Sequence, residues 1–111
     1  MDETFGSLIA RARQAKGLSR KGLAARLLWA DGRPLSSQYL ANLEGGHREP
    51  ADELVYLLAR ELELHPDLLF HRLHRLPPDI RLIQPDEAAI LAAYTSMRET
   101  LQSGGGSHAA Q

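Results

Sequence analysis

The sequence predicts an all-α protein: a compact five-helix domain followed by a C-terminal amphipathic helix. Three observations lead there. Apolar residues recur at helical spacing through most of the chain. Short breaks rich in Gly, Pro and Ser separate these segments. Alternating runs of β-branched and aromatic residues are almost absent. The 111 residues are 43% hydrophobic and 24% charged, which suits one modest core with an appendage.

The first helix is expected from about Thr4 to Lys16, with Phe5, Leu8, Ile9, Ala12 and Ala15 inward and Gly17 as its stop. Ser19 caps the second, which turns Leu23, Ala24, Leu27 and Leu28 inward. "ADGRP", Ala30 to Pro34, then breaks the pattern. Ser36 or Ser37 caps a short third helix carrying Tyr39, Leu40 and Leu43, closed by Gly45-Gly46. Pro50 suits the first turn of a fourth, with Asp52 and Glu53 at its positive end and Leu54, Leu57, Leu58 and Leu62 buried. Pro66 and Asp67 open a fifth, with Leu68, Leu69, Phe70 and Leu73 on its apolar side. "IRLIQP", Ile80 to Pro85, reads as extended, and a last helix runs from about Asp86 to Leu101. The resulting division is a domain over 1–76, a linker and interaction helix over 77–102, and a flexible tail over 103–111.

Composition excludes several classes. No apolar run is long enough to span a membrane, and the start "MDETFGSL" is acidic where a secretory leader is basic. Without cysteine there are no disulfides and no thiolate metal sites, so a cytoplasmic protein is expected. His65, His71 and His74 lack further ligands at helical spacing, so no metal and no cofactor are expected. No nucleophile-base pair, catalytic carboxylate pair or phosphate-cradling glycine loop stands out, so no enzyme is expected. The formal net charge is −1, but it is unevenly spread. Residues 1–50 hold eight Lys/Arg against five Asp/Glu, and the rest holds five against nine. A basic front half of this kind suits a polyanion.

The stretches "GLSRKGLAARL" (Gly17 to Leu27) and "LSSQYLANLEGGHREPA" (Leu35 to Ala51) resemble the Cro/C1-type helix-turn-helix family, also called the xenobiotic-response-element family. The most specific part is Ser36, Tyr39, Leu40, Leu43, Glu44, Gly46, His47, Arg48 and Pro50 in that spacing. The resemblance covers roughly residues 5–75 and implies a lambda-repressor-like domain that binds double-stranded DNA. The third helix then lies in the major groove, where base edges are fully distinguishable. Ser37, Gln38, Ala41 and Asn42 point away from its apolar side and are the expected base readers. Gln38 and Asn42 lead, because an amide both gives and accepts a hydrogen bond with adenine. Arg20, Lys21, Arg33, Ser36, His47 and Arg48 are the expected phosphate contacts. The resemblance also implies a buried structural ion pair between Arg13 and Glu44.

The chain departs from that family between its second and third helices. Seven residues, Leu28 to Pro34, separate Leu27 from Leu35, more than the usual tight turn needs. Two readings stand side by side. The second helix continues through Trp29 and loops back at Asp31-Gly32, with Trp29 covering the core edge; or the loop approaches DNA through Arg33. The C-terminal stripe needs a partner as well. Ile80, Ile83, Ile90, Tyr94, Met97 and Leu101 are the expected interface of a homodimer. Together these readings give a transcriptional regulator, a repressor on a palindromic operator. The alternative is an antitoxin or adaptor whose C-terminal helix binds a protein such as a toxin or regulatory peptidase.

Overall fold

The computed structural model describes residues 3–109, with side chains through residue 104. The helices among them are α1 (Phe5–Ala15), α2 (Arg20–Ala24), α3 (Ser37–Glu44), α4 (Asp52–Leu62), α5 (Pro66–Arg72), α6 (Pro78–Arg81) and α7 (Glu87–Ala109). The chain divides into two compact units, one up to Ile80 and one from Arg81 onward.

Side-chain caps start the first three helices. The Thr4, Ser19 and Ser36 hydroxyls accept from the N–H groups of Ser7, Gly22 and Tyr39. The N-cap of α5 is His65, whose Nδ1 accepts from the Asp67 N–H at 3.0 Å. The core of the first unit gathers one face of each helix: Phe5, Leu8, Ile9 and Ala12 of α1, Leu23 and Ala24 of α2, Leu40 and Leu43 of α3. Leu54, Val55, Leu58, Ala59 and Leu62 of α4 and Leu69 and Phe70 of α5 complete it, with Leu27 and Leu35 between α2 and α3.

Several expectations from periodicity are corrected. Ala15 is exposed, because α1 closes at Lys16 and its last turn lies beyond the core. Leu28 is 48% exposed, since α2 ends at Ala24 and the chain leaves it in extended form. Val55 and Ala59 are buried while Leu57 is half-buried, so the core stripe of α4 is rotated from the expected one. Leu68 is largely exposed, because α5 faces the core with Leu69 and Phe70. Pro50 is buried two residues before α4, whose N-cap is Ala51. Ile80 and Arg81 belong to α6 rather than to an extended segment. Asp86 caps the last helix through Ala89, and its backbone stays helical past Leu101 to Ala109; Ala110 and Gln111, the end of the expected tail, lie outside the described residues.

The approach of α1 to α3 sets the geometry of the unit. A Cβ added to Gly6 stands 2.2 Å from the Glu44 carbonyl oxygen and 2.8 Å from that of Leu43. Only glycine admits α3 this close. The Glu44 carboxylate, 3% exposed, turns back into the unit. Arg13 grips it with two bonds, Nε to Oε2 at 2.7 Å and Nη2 to Oε1 at 3.1 Å, and gives a third from Nη1 to the Leu18 carbonyl at 2.9 Å. At the other end of α1, Lys16 bonds Glu63 at 2.7 Å and holds that carboxyl below its ordinary pKa.

Gly6→Ala forces α1 and α3 apart, and we expect a loss of about 3 kcal/mol of unfolding free energy, the upper part of the overpacking range, read by urea denaturation. Arg13→Met leaves Glu44 buried with one partner fewer and is expected to lose about 3 kcal/mol in the same measurement.

Candidate nucleic-acid interface

Helix α3 is two turns long, and its fold-facing and outward faces follow from its residues. Leu40 and Leu43 are fully buried. Ser37 and Gln38 are exposed in the first turn, and Ala41 and Asn42 are half-buried in the second. Gln38 Nε2 donates to Asn42 Oδ1 at 3.2 Å, so the two amides form one linked pair along the outward face. The helix ends by wrapping onto itself: Gly46 takes a φ of +79°, and the His47 N–H returns to the Asn42 carbonyl at 2.9 Å. His47 and Arg48 therefore leave directly from the end of this face, and both are exposed.

The segment before α3 is a small hairpin, not a continuation of α2. Leu28 bridges antiparallel to Pro34. The Leu35 N–H donates to the Leu27 carbonyl and the Trp29 N–H to the Arg33 carbonyl, each at 2.8 Å. The Gly32 N–H donates to Trp29 at the same distance, and Gly32 adopts a φ of +86°. Ala30, Asp31 and Gly32 thus form a three-residue loop with glycine in the left-handed position that the last residue of such a loop needs. Proline at the bridge gives up no bond, because the neighbouring Leu35 supplies the donor. Trp29 does cover the core edge, as one sequence reading had it, but from a hairpin. The Asp-Gly pair between extended residues was the signal for this turn.

The cations expected to meet phosphate occupy three sites around α3. Arg20 and Lys21 open α2, and both are exposed. Arg20 Nε also donates to Glu44 Oε1 at 2.9 Å, which ties it to the buried pair while its side chain remains 54% exposed. Arg33 stands at the hairpin and pairs with Asp31 at 2.7 Å, both well exposed. The Arg48 guanidinium lies 4.5 Å from the centre of the Tyr39 ring, and Trp29 meets the same ring edge-on at 5.8 Å and 85°. Ser36, the remaining member of the set, gives its hydroxyl to the α3 cap.

Sequence reasoning missed several supports of this face. Arg75, after α5, donates to the Pro50 carbonyl at 2.9 Å, to Asp52 at 3.1 Å and to Glu49 at 3.3 Å. It pins the loop that carries His47 and Arg48. No local pattern marks an arginine that acts across so many intervening residues. Gly6 did carry a signal, since glycine inside a helical pattern asks for a packing reason. The Arg20–Glu44 bond and the Trp29–Tyr39–Arg48 stack were not anticipated either.

In the second unit, Ile90, Tyr94, Met97 and Leu101 of α7 and Ile83 before it are exposed, as is Ile80 at the end of the first. No helix among the described residues is long and apolar enough to cross a membrane. Among the same residues no group of three His, Asp or Glu is arranged to hold a metal ion.

Comparison with curated proteins and with solved structures gave no match. A family model described as helix-turn-helix matches residues 9–69, more than half of the chain and all of α2 and α3. The chain belongs to the helix-turn-helix family, of the Cro/C1 type, a family of DNA-binding transcription regulators.

Proposed function

We propose that this protein is a sequence-specific repressor that acts in the cytoplasm and reads a palindromic operator as a homodimer. The observation that carries the reading is the outward face of α3, where the Gln38–Asn42 amide pair is flanked by cations from α2, the hairpin and the loop after α3. Ser37, Gln38, Ala41 and Asn42 read base edges in the major groove. Arg20, Lys21, Arg33, Ser36, His47 and Arg48 meet phosphates and set the docking angle. Two linked copies of so short a helix read two half-sites about one helical turn apart. Binding at a promoter then excludes polymerase.

Selection of bound duplexes from a random pool, at fixed salt, is expected to return a two-fold symmetric consensus. Gln38→Ala with Asn42→Ala is expected to flatten that consensus and to weaken binding by about 1–3 kcal/mol per lost base contact. A pool that emerges unenriched with the unaltered protein sinks the reading.

The exposed apolar residues of α7 support a second reading beside the first. The helix joins two copies of the chain, or it holds a toxin or peptidase and makes the protein an antitoxin or adaptor. For the dimer we expect a sedimenting species of twice the 12.3 kDa chain mass. Tyr94→Asp with Met97→Asp is expected to convert it to monomer while leaving the melting of the first unit unchanged. A monomer in the unaltered protein favours the protein-partner reading.

A further inference from the structure

We infer that Trp29, acting through Tyr39, fixes the guanidinium of Arg48 for contact with a DNA phosphate, which makes the hairpin a positioning device for a residue outside it. The phosphate rests on the DNA reading above; the stack itself is protein geometry.

The three exposed arginines expected to meet phosphate are held in different ways, and the difference decides which is free to meet an anion. Arg20 and Arg33 are bonded through Nε to the carboxylates of Glu44 and Asp31. Such bonds use donors on the edge of the guanidinium, the same edge that a phosphate needs. Arg48 is held against an aromatic ring instead. Its guanidinium carbon lies 4.5 Å from the Tyr39 ring centre, and no carboxylate pairs with it among the described residues. A ring contact of this kind engages no carboxylate, so the charge of the guanidinium stays available to an anion. Stacking therefore removes rotamer freedom from Arg48 without neutralising it.

The ring must itself be held for this to work. Tyr39 sits in the first turns of α3, half-buried. Trp29 abuts it edge-on at 5.8 Å and 85°, the T-shaped arrangement that aromatic quadrupoles favour. Trp29 in turn is fixed on both sides of its peptide, by its own N–H to Arg33 and by its carbonyl to Gly32, each at 2.8 Å. The chain of contacts runs from hairpin backbone to Trp29, to Tyr39 and to Arg48. The hairpin thereby acts on the far end of α3, at the loop where Arg48 leaves it.

The test uses the full chain, with a labelled selected duplex and a mixed-sequence duplex of the same length, over a series of salt concentrations. Arg48→Ala is expected to lower the slope of log affinity against log salt by about 0.9, the value of one phosphate contact. Trp29→Leu, which keeps apolar bulk and loses the aromatic edge, is expected to weaken binding about 2- to 5-fold, and Trp29→Phe to restore it. In the Arg48→Ala background Trp29→Leu is expected to have no further effect. In the free protein, the Arg48 side-chain proton resonances are expected upfield, shifted by the Tyr39 ring current. They move back in Tyr39→Leu and part of the way in Trp29→Leu. Equal weakening by Trp29→Leu with and without Arg48 overturns the inference, as do Arg48 resonances that Trp29→Leu leaves in place. Melting curves identify a variant that fails to fold, in which case Trp29→Met, with and without Arg48→Ala, carries the comparison. If the resonances respond and neither duplex binds, the DNA reading falls and the stack stands.

Discussion

A buried carboxylate at the end of α3 constrains everything around it. Glu44 is nearly sealed from water, and an ionised carboxylate in that place needs bonded cations. Arg13 reaches it from α1 and Arg20 from α2, so one side chain joins three helices. The approach is possible because Gly6 lies on the same face of α1 as Arg13, two turns earlier, and offers no Cβ to the α3 carbonyls. A buried ion pair of this sort adds little net stability compared with apolar packing. What it constrains here is geometry. With Glu44 drawn toward α1 and α2 and with Leu40 and Leu43 in the core, α3 has one rotation about its own axis, and Gln38 and Asn42 face outward in it.

The same carboxylate governs the charge that the face presents. Arg13 is consumed inside the unit, and Arg20 is shared between the interior and the surface. Arg33 is balanced by Asp31. A count of basic residues in the front half therefore overstates the positive field at α3. What matters for an anion is how each guanidinium is held, because carboxylate pairing and phosphate binding compete for the same donors while ring stacking does not. Arg75 contributes from a distance, by fixing the loop on which His47 and Arg48 sit.

Much of this was legible in the sequence where the cause is local. The cap at Ser19, a serine cap on α3, the stop at Gly17, and the burial of Leu40 and Leu43 follow from residue chemistry and a 3.6-residue period. The outward set on α3 follows from the same period. The misplaced residues fall where a partner far along the chain decides. Leu28 fits a helical stripe, yet α2 stops at Ala24 because Leu27 pairs with Leu35 across the hairpin. Ala15 fits the stripe of α1 but lies past the end of the core it would cover. Gly6, Arg75 and the bond from Arg20 to Glu44 depend on the assembled unit. The Arg13–Glu44 pair was reached only through family resemblance, since nothing in composition or spacing joins residues so far apart.

The hairpin explains how a helix-turn-helix unit accommodates extra residues at its most sensitive junction. The Leu35 N–H bonds the Leu27 carbonyl, so the chain leaves and re-enters at nearly one point. Leu27 and Leu35 both stay buried on either side of it. Closing so short a loop is inexpensive when its own turn residues satisfy the backbone, as Asp31 and Gly32 do here. An excursion closed in this way is mechanically insulated from the core unless a side chain reaches back across the junction. Trp29 does so, packing at the core edge and against Tyr39. A change in the Ala30–Arg33 tip therefore acts on α3 chiefly through the seating of that indole, and the indole is where this chain's individuality meets the scaffold it shares with its family.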